Sequence, residues 1–138
     1  MNAYHGTDKN SSIIIVGPPA SVDVTRGGGE LGRGFYVGDS LALAASFAVG
    51  KFGSNSAVVK FEIDESAFLK LKTLIIKRRG LVWRKWRFFK RKSVTSKYLF
   101  GVDVVCSPFA TIDMACQFKF ESLSAQNVLN HHSDRKSL

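Results

Sequence analysis

The sequence predicts an α+β fold for a single domain that spans residues 1–138. Two observations support this prediction. Segments in which apolar and polar residues alternate, as in half-buried strands, are interspersed with segments in which apolar residues recur at helical spacing. The length of 138 residues and the hydrophobic content of 45% are those of one globular domain with a substantial core.

Six strand-like runs are distinguished by β-branched and aromatic residues and by the turn residues that flank them. The clearest is 57–63, where the odd-numbered positions are apolar and Lys60 and Glu62 face the opposite side. The run at 13–16 ends at Gly17 and the two prolines that follow it. The predicted strands cover residues 2–7, 13–16, 35–37, 57–63, 102–106 and 116–120.

Helical spacing of apolar residues predicts three helical stretches. Asp39 or Ser40 is placed to cap the first, which runs to about Val49. The second is compatible with helix over residues 69–89 but is broken by Gly80, and the third covers 124–130. The glycine-rich stretch 27–34 is expected to form a flexible loop, and residues 131–138 a polar, frayed tail.

The net charge of +9 is concentrated in one segment. Residues 70–97 hold twelve of the 20 Lys and Arg residues and none of the 11 Asp and Glu residues. This segment therefore carries +12, and the remainder, with eight basic and eleven acidic residues, carries −3. Such a block attracts polyanions, and nucleic acid is the commonest polyanion in cells.

Cysteine use indicates a reducing compartment, and the hydropathy pattern indicates neither secretion nor membrane insertion. Cys106 and Cys116 lack a second pair and a histidine at metal-ligand spacing, so we expect free thiols and no metal site. The N-terminus lacks a secretory leader, and the apolar run at 13–16 is far shorter than the roughly 18 residues of a membrane span. These features predict a cytoplasmic protein that does not enter a membrane.

Three separated motifs carry the chemical information. They are Tyr4-His5-Gly6-Thr7, then Gly34-Phe35-Tyr36 followed by an alanine-rich helix to Phe47, and then Gln117-Phe118-Lys119-Phe120. Their order and content resemble the diphtheria-toxin-like branch of the ADP-ribosyltransferases, the H-Y-E type that also includes the PARP-like enzymes. That family has a histidine on the first strand, a tyrosine at the head of a strand–helix unit, and an acidic or amide residue on a late strand.

The resemblance implies a split β-sandwich of two small antiparallel sheets with flanking helices, and NAD as co-substrate in the cleft between the sheets. It also implies that the His5 imidazole binds a ribose hydroxyl of the adenosine half and that the Gly6 backbone pairs with the carboxamide. Tyr36 and Phe47 would sandwich the nicotinamide ring. The implied catalytic residues are His5, Tyr36 and Gln117, and the implied NAD-binding residues are His5, Gly6, Thr7, Gly34, Tyr36 and Phe47.

Gln117 departs from the family pattern, in which a glutamate binds the 2′-hydroxyl of the nicotinamide ribose. An amide still forms that hydrogen bond but supplies no full negative charge to the sugar cation. Glu121 lies four residues further on, hence on the same strand face, and is the alternative for this position. The loop charges Glu30, Arg26 and Arg33 are either solvated or part of a lid with an arginine near the pyrophosphate.

The acceptor is expected at the basic segment, where Trp83, Trp86 and Phe89 lie among phosphate-binding side chains. RNA is favoured; DNA, a protein side chain or water are alternatives, as is an inactive relative that only binds RNA. The opposing interpretation is that these rings belong to the core and the charges to a solvated face. NAD is always present in cells, so the resemblance suggests a toxin of a toxin–antitoxin or anti-phage system, neutralised by an antitoxin protein. The predicted acceptor-binding residues are Arg78, Arg79, Arg84, Lys85, Arg87, Lys90 and Arg91.

Overall fold

A computed structural model describes residues 1–19, 21–92, 97–110 and 115–138. It has an α+β fold, as predicted, in which helices flank a seven-stranded mixed sheet and a small two-stranded antiparallel sheet. The strands are β1 (Asn2–Asp8), β2 (Gly28–Gly29), β3 (Gly32–Arg33), β4 (Phe35–Gly38), β5 (Ser56–Ile63), β6 (Thr73–Ile75), β7 (Val104–Pro108), β8 (Cys116–Phe120) and β9 (Ser133–Ser137). The α-helices are α1 (Lys9–Val16), α2 (Leu41–Phe52), α3 (Glu65–Leu69), α4 (Arg79–Lys92) and α5 (Leu123–His131), and a 3-10 turn follows α2 at Gly53–Asn55.

The large sheet has the strand order β6-β7-β8-β4-β1-β5-β9 and differs from the predicted pair of antiparallel sheets. β6 and β7 pair in parallel, so the sheet is mixed. β1 and β5 share seven register pairs, whereas β1 and β4 share the single pair Tyr4↔Gly38. The sheet is therefore continuous, but a seam between β1 and β4 divides it into the half-sheets β6-β7-β8-β4 and β1-β5-β9.

Two apolar clusters lie on opposite faces of the sheet. Neighbouring residues of a strand point to opposite faces, and in β7 Val104 belongs to one cluster and Val105 to the other. The larger cluster includes Phe61 and Phe120 and is covered by α5. The smaller cluster joins Leu31 of the β2–β3 turn to Val82 of α4.

Residues 13–16 form the end of helix α1 and not the predicted strand. Asp8 caps this helix, because its carboxylate accepts hydrogen bonds from the Ser11 amide at 2.8 Å and from the Ser11 hydroxyl at 2.7 Å. The predicted stop at Gly17 is confirmed, since Gly17 is the C-cap residue. Here capping overrides the strand preference of the β-branched residues.

The predicted interrupted helix at 69–89 is also only partly correct. Residues 73–75 form β6 at the edge of the sheet, and helix begins again at Arg79. Gly80 lies in the first turn of α4, where it does not interrupt the helix.

The polar tail is not frayed, because residues 133–137 form β9 and pair with β5 through five register positions. Ser40, and not Asp39, caps α2: its side chain accepts the Leu43 amide at 3.1 Å. Among the described residues, no helix combines the length and apolarity needed to cross a membrane.

Candidate functional site

His5 lies at the seam between the half-sheets. Its ring stacks on Phe35 at 4.2 Å between centroids, and its Nδ1 is 2.7 Å from the carbonyl oxygen of Tyr36. Burial lowers the pKa of His5 from 6.5 to about 4, so the imidazole is neutral at pH 7. Because a carbonyl can only accept, Nδ1 carries the proton and Nε2 keeps its lone pair. The His5 side chain thus links β1 to β4 where their backbone ladder stops.

Gly6 is required by helix packing. A side chain at this position would collide with the carbonyl oxygen of Ala44 in α2. The close approach that makes glycine necessary here is therefore that of α2 to β1. Thr7, the next predicted NAD-binding residue, is buried opposite Ala57 of β5.

Tyr36 anchors the β2–β3 hairpin. Its hydroxyl accepts a hydrogen bond from the Leu31 amide at 3.1 Å and donates one to the Gly32 carbonyl. Its ring packs against Gly29, where a Cβ atom would come within 2.9 Å of the ring. Burial raises the pKa of the Tyr36 hydroxyl, which stays protonated and able to donate.

Gln117 lies on the same face as Tyr36, on the adjacent strand. It pairs with Gly38, two residues from Tyr36, and only 2% of its surface is exposed. Its Nε2 donates to Glu30 Oε1 at 2.9 Å and to the Pro108 carbonyl at 3.2 Å. The structure thus brings Tyr36 and Gln117 together beneath the hairpin.

Glu121, the alternative to Gln117, is part of a buried ion pair. Its carboxylate accepts from Lys119 Nζ at 2.8 Å and from the amides of Phe100 and Gly101. Lys119 also donates to the carbonyls of Leu31 and Tyr98, and desolvation lowers its pKa. These bonds give Glu121 a role in the core and favour Gln117 as the site residue.

The four predicted side chains do not all meet. His5 stacks on Phe35, which alternates with Tyr36 along β4, so the His5 ring and the Tyr36 ring lie on opposite faces of the strand. Phe47 is 58% exposed on α2, and its ring centroid lies 5.8 Å from Lys51 Nζ. The Phe47 ring is therefore largely open to solvent.

The glycine-rich stretch forms a hairpin and not an open loop. Gly34 packs closely on the aliphatic part of the Lys119 side chain. A Cβ atom built at position 34 would lie 2.8 Å from Lys119 Cγ. Arg33 is half-buried on β3, and Arg26 is exposed and paired with Asp23 at 3.4 Å. Glu30 lies in the hairpin turn, where its Oε1 accepts a hydrogen bond from Gln117 Nε2.

Helix α4 presents a basic and aromatic face. Its core-facing side is Val82 and Phe89, whereas Trp83 is 40% exposed and Phe88 is 51% exposed. Trp86 is half-buried, with Lys90 Nζ 5.3 Å from its ring centroid. All seven predicted acceptor-binding residues are exposed, and four of them line two shallow grooves. The grooves are lined by Trp83, Arg84, Trp86, Arg87, Phe88, Lys90 and Arg91.

Two polar contacts were not predicted from the sequence: the Glu30–Gln117 hydrogen bond and the Lys119–Glu121 ion pair. The second has a sequence signal, because positions 117, 119 and 121 share one face of β8 and its extension. The first joins residues 87 positions apart and has none.

No family model matches the chain, and no curated protein matches it. Within the described ranges, no group of three or more His, Cys, Asp or Glu side chains is arranged to hold a metal ion.

Proposed function

We propose that the protein is an NAD-dependent mono-ADP-ribosyltransferase of the diphtheria-toxin-like type. The observation that supports this best is the arrangement around Tyr36. Its carbonyl binds the histidine of the first motif, and Gln117 of the third motif lies on the same face of the next strand, opposite Gly38. Residues of three motifs that are remote in sequence thus lie on the neighbouring strands β1, β4 and β8, and this placement supports the proposal.

The chemistry asks for orientation and charge stabilisation more than for a strong nucleophile. The bond between nicotinamide and ribose breaks through an oxocarbenium-like state, nicotinamide leaves with the bonding electrons, and an acceptor nucleophile attacks the sugar carbon. In this proposal His5, which lies on the opposite face of β4 from the Tyr36 ring, acts through its Nδ1–H hydrogen bond to the Tyr36 carbonyl and holds β4 against β1. The Gln117 carbonyl oxygen accepts the 2′-hydroxyl beside the cation.

Access to this site requires the hairpin to move. Gly29 lies on the Tyr36 ring, and Glu30 lies on the Gln117 amide, so the hairpin covers both side chains. We propose that NAD enters when the hairpin lifts from β4 and β8. Closure over bound NAD would return Glu30 to the Gln117 amide and exclude water from the reacting sugar.

The acceptor in this proposal is nucleic acid, with RNA favoured over DNA. The α4 face combines exposed arginines and lysines with the exposed rings of Trp83 and Phe88. Phosphates would bind the charges and unpaired bases would stack on the rings, as at single-stranded sites. A protein side chain is the competing acceptor, and an acidic antitoxin would fit the same face if the protein is a toxin.

One assay tests both parts of the proposal. The purified protein is incubated with NAD labelled in its adenine half and with a cell lysate, nicotinamide is measured, and labelled polymer is digested with nuclease or protease. We expect nicotinamide release and nuclease-sensitive label, both abolished in Gln117→Ala with folding retained. Protease-sensitive label would make the acceptor a protein. Release without labelled polymer would indicate a glycohydrolase.

A second function is favoured by the burial of the site. Because Gln117 is 2% exposed and the Tyr36 hydroxyl is bonded to the hairpin, a catalytically inactive protein that binds RNA through α4 is the main competitor. Salt-dependent RNA binding without nicotinamide release would support this function and reject the enzyme.

A further inference from the structure

We propose that Glu30 is a positioning residue that fixes the orientation of the Gln117 amide and places a negative charge directly behind it. This inference rests on the proposed function, and it explains why an amide stands where most of the resembled family has a carboxylate. Glu30 belongs to the hairpin turn, a part of the chain to which the resemblance assigns no catalytic role.

The hydrogen bonds determine which way the amide faces. Nε2 of Gln117 donates to Glu30 Oε1 at 2.9 Å and to the Pro108 carbonyl at 3.2 Å. Neither a carboxylate nor a carbonyl oxygen can donate, so the NH₂ group must be the one that faces them. The Gln117 carbonyl oxygen accepts no hydrogen bond from the described residues and is the atom left to receive a hydroxyl.

Glu30 is itself held in place. The same Oε1 atom accepts the Ala110 amide at 3.1 Å, so the carboxylate is bonded to two segments of chain besides its own hairpin. A charge-assisted hydrogen bond polarises the amide and makes its carbonyl oxygen a better acceptor. Glu30 and Gln117 together thus supply one carboxylate and one amide, with the charge one hydrogen bond away from the substrate.

A glutamate at position 117 would not fit this arrangement. Its carboxylate would face the Glu30 carboxylate and the Pro108 carbonyl, with no proton to share and repulsion between like charges. The two residues are therefore complementary, and exchanging them should preserve the pair where a single change does not.

The test is a swap of the two residues. Glu30→Gln, Gln117→Glu and the double variant are compared with wild type, and Glu65→Gln, an exposed glutamate in α3, is the control. Nicotinamide release from NAD gives kcat/KM, and urea denaturation gives the unfolding midpoint of each variant. We expect Glu30→Gln to lower kcat/KM about ten- to hundredfold, as for loss of a charge-assisted hydrogen bond.

We expect Gln117→Glu to lower both the rate and the urea midpoint, and the double variant to recover a large part of each. Glu30→Gln with wild-type activity would overturn the inference, and so would a double variant whose losses are the sum of the single ones. An increase in activity on losing the Glu30 charge would also overturn it, because the carboxylate would then be blocking the site. If wild type releases no nicotinamide, the proposed function fails, and the midpoints alone decide whether the pair is complementary.

Discussion

Lowering the pH from 7.5 to 5 should destabilise the fold through protonation of His5. Burial and, to a smaller extent, the charge of Lys51 lower the pKa of this imidazole to about 4, against 6.5 for an ordinary histidine; the Tyr36 carbonyl opposes them. The unfolded chain therefore binds a proton in this range that the folded protein does not. Stability contributed by neutral His5 is fully present above pH 6.5 and is lost progressively as the pH falls from 6.5 to 4.

The size of the effect follows from the two pKa values. A tenfold change in proton affinity corresponds to about 1.4 kcal/mol, so the gap between 6.5 and about 4 gives a total of about 3 kcal/mol below pH 4. At pH 5 the folded protein is still mostly unprotonated at His5, and the loss is about 2 kcal/mol. This is a large fraction of the stability of a small domain.

The measurement is urea denaturation at pH 7.5 and pH 5 for wild type and His5→Asn. Asparagine can present its amide near the position of Nδ1–H and keep the hydrogen bond to Tyr36, but it does not titrate. The difference in unfolding free energy between the two pH values should be about 2 kcal/mol smaller in His5→Asn. His131→Asn, which replaces an exposed imidazole at the end of α5, is the control and should behave as wild type.

Equal pH dependence in wild type and His5→Asn would refute this reasoning. It would mean that the imidazole is solvated or rearranges on protonation. In that case the assignment of its Nδ1 proton to the Tyr36 carbonyl would also lose its basis.

Three further perturbations have defined outcomes. Gly6→Ala forces α2 away from β1 and should cost about 1–3 kcal/mol of stability, measured by thermal unfolding; an unchanged midpoint would contradict the packing of Ala44 against Gly6. Lys119→Met leaves Glu121 as an unpaired buried charge and should cost about 3–5 kcal/mol, with recovery when Glu121 is also made apolar; no recovery would argue against a paired role. Arg87→Ala should weaken binding to single-stranded RNA and reduce the slope of log K against log salt by about 1, whereas an unaltered slope would remove α4 from the interface.

Elements fixed by local pattern were predicted from the sequence. Strand β5 has an alternating pattern that matches the alternating burial of residues 59–63, and β8 begins and ends at the predicted residues. The predicted end of the 13–16 run at Gly17 was also confirmed, because this stop signal is local. Residues 13–16 are nevertheless helical, because Asp8 caps α1. Such signals lie within a few residues of each other.

Elements that depend on distant partners were missed. β9 is a polar strand whose structure comes from pairing with the edge of β5, so its own composition suggests a tail. The site shows the same division: the order of His5, Tyr36 and Gln117 is visible in the sequence, whereas the partner of each side chain is not. Glu30 reaches Gln117 because the hairpin turn folds back onto β8.

The single register pair between β1 and β4 has a mechanical consequence. Ladder hydrogen bonds stiffen a sheet against shear and bending. The seven-stranded sheet should therefore deform most easily along the β1–β4 boundary, where these bonds are few. The His5 side chain crosses this boundary and joins the two half-sheets through one hydrogen bond, from Nδ1 to the Tyr36 carbonyl. Amide protons within each half-sheet should therefore exchange slowly, and those along the β1–β4 boundary should exchange faster. A molecule bound at this boundary would separate the two half-sheets without breaking the strand pairing inside either one.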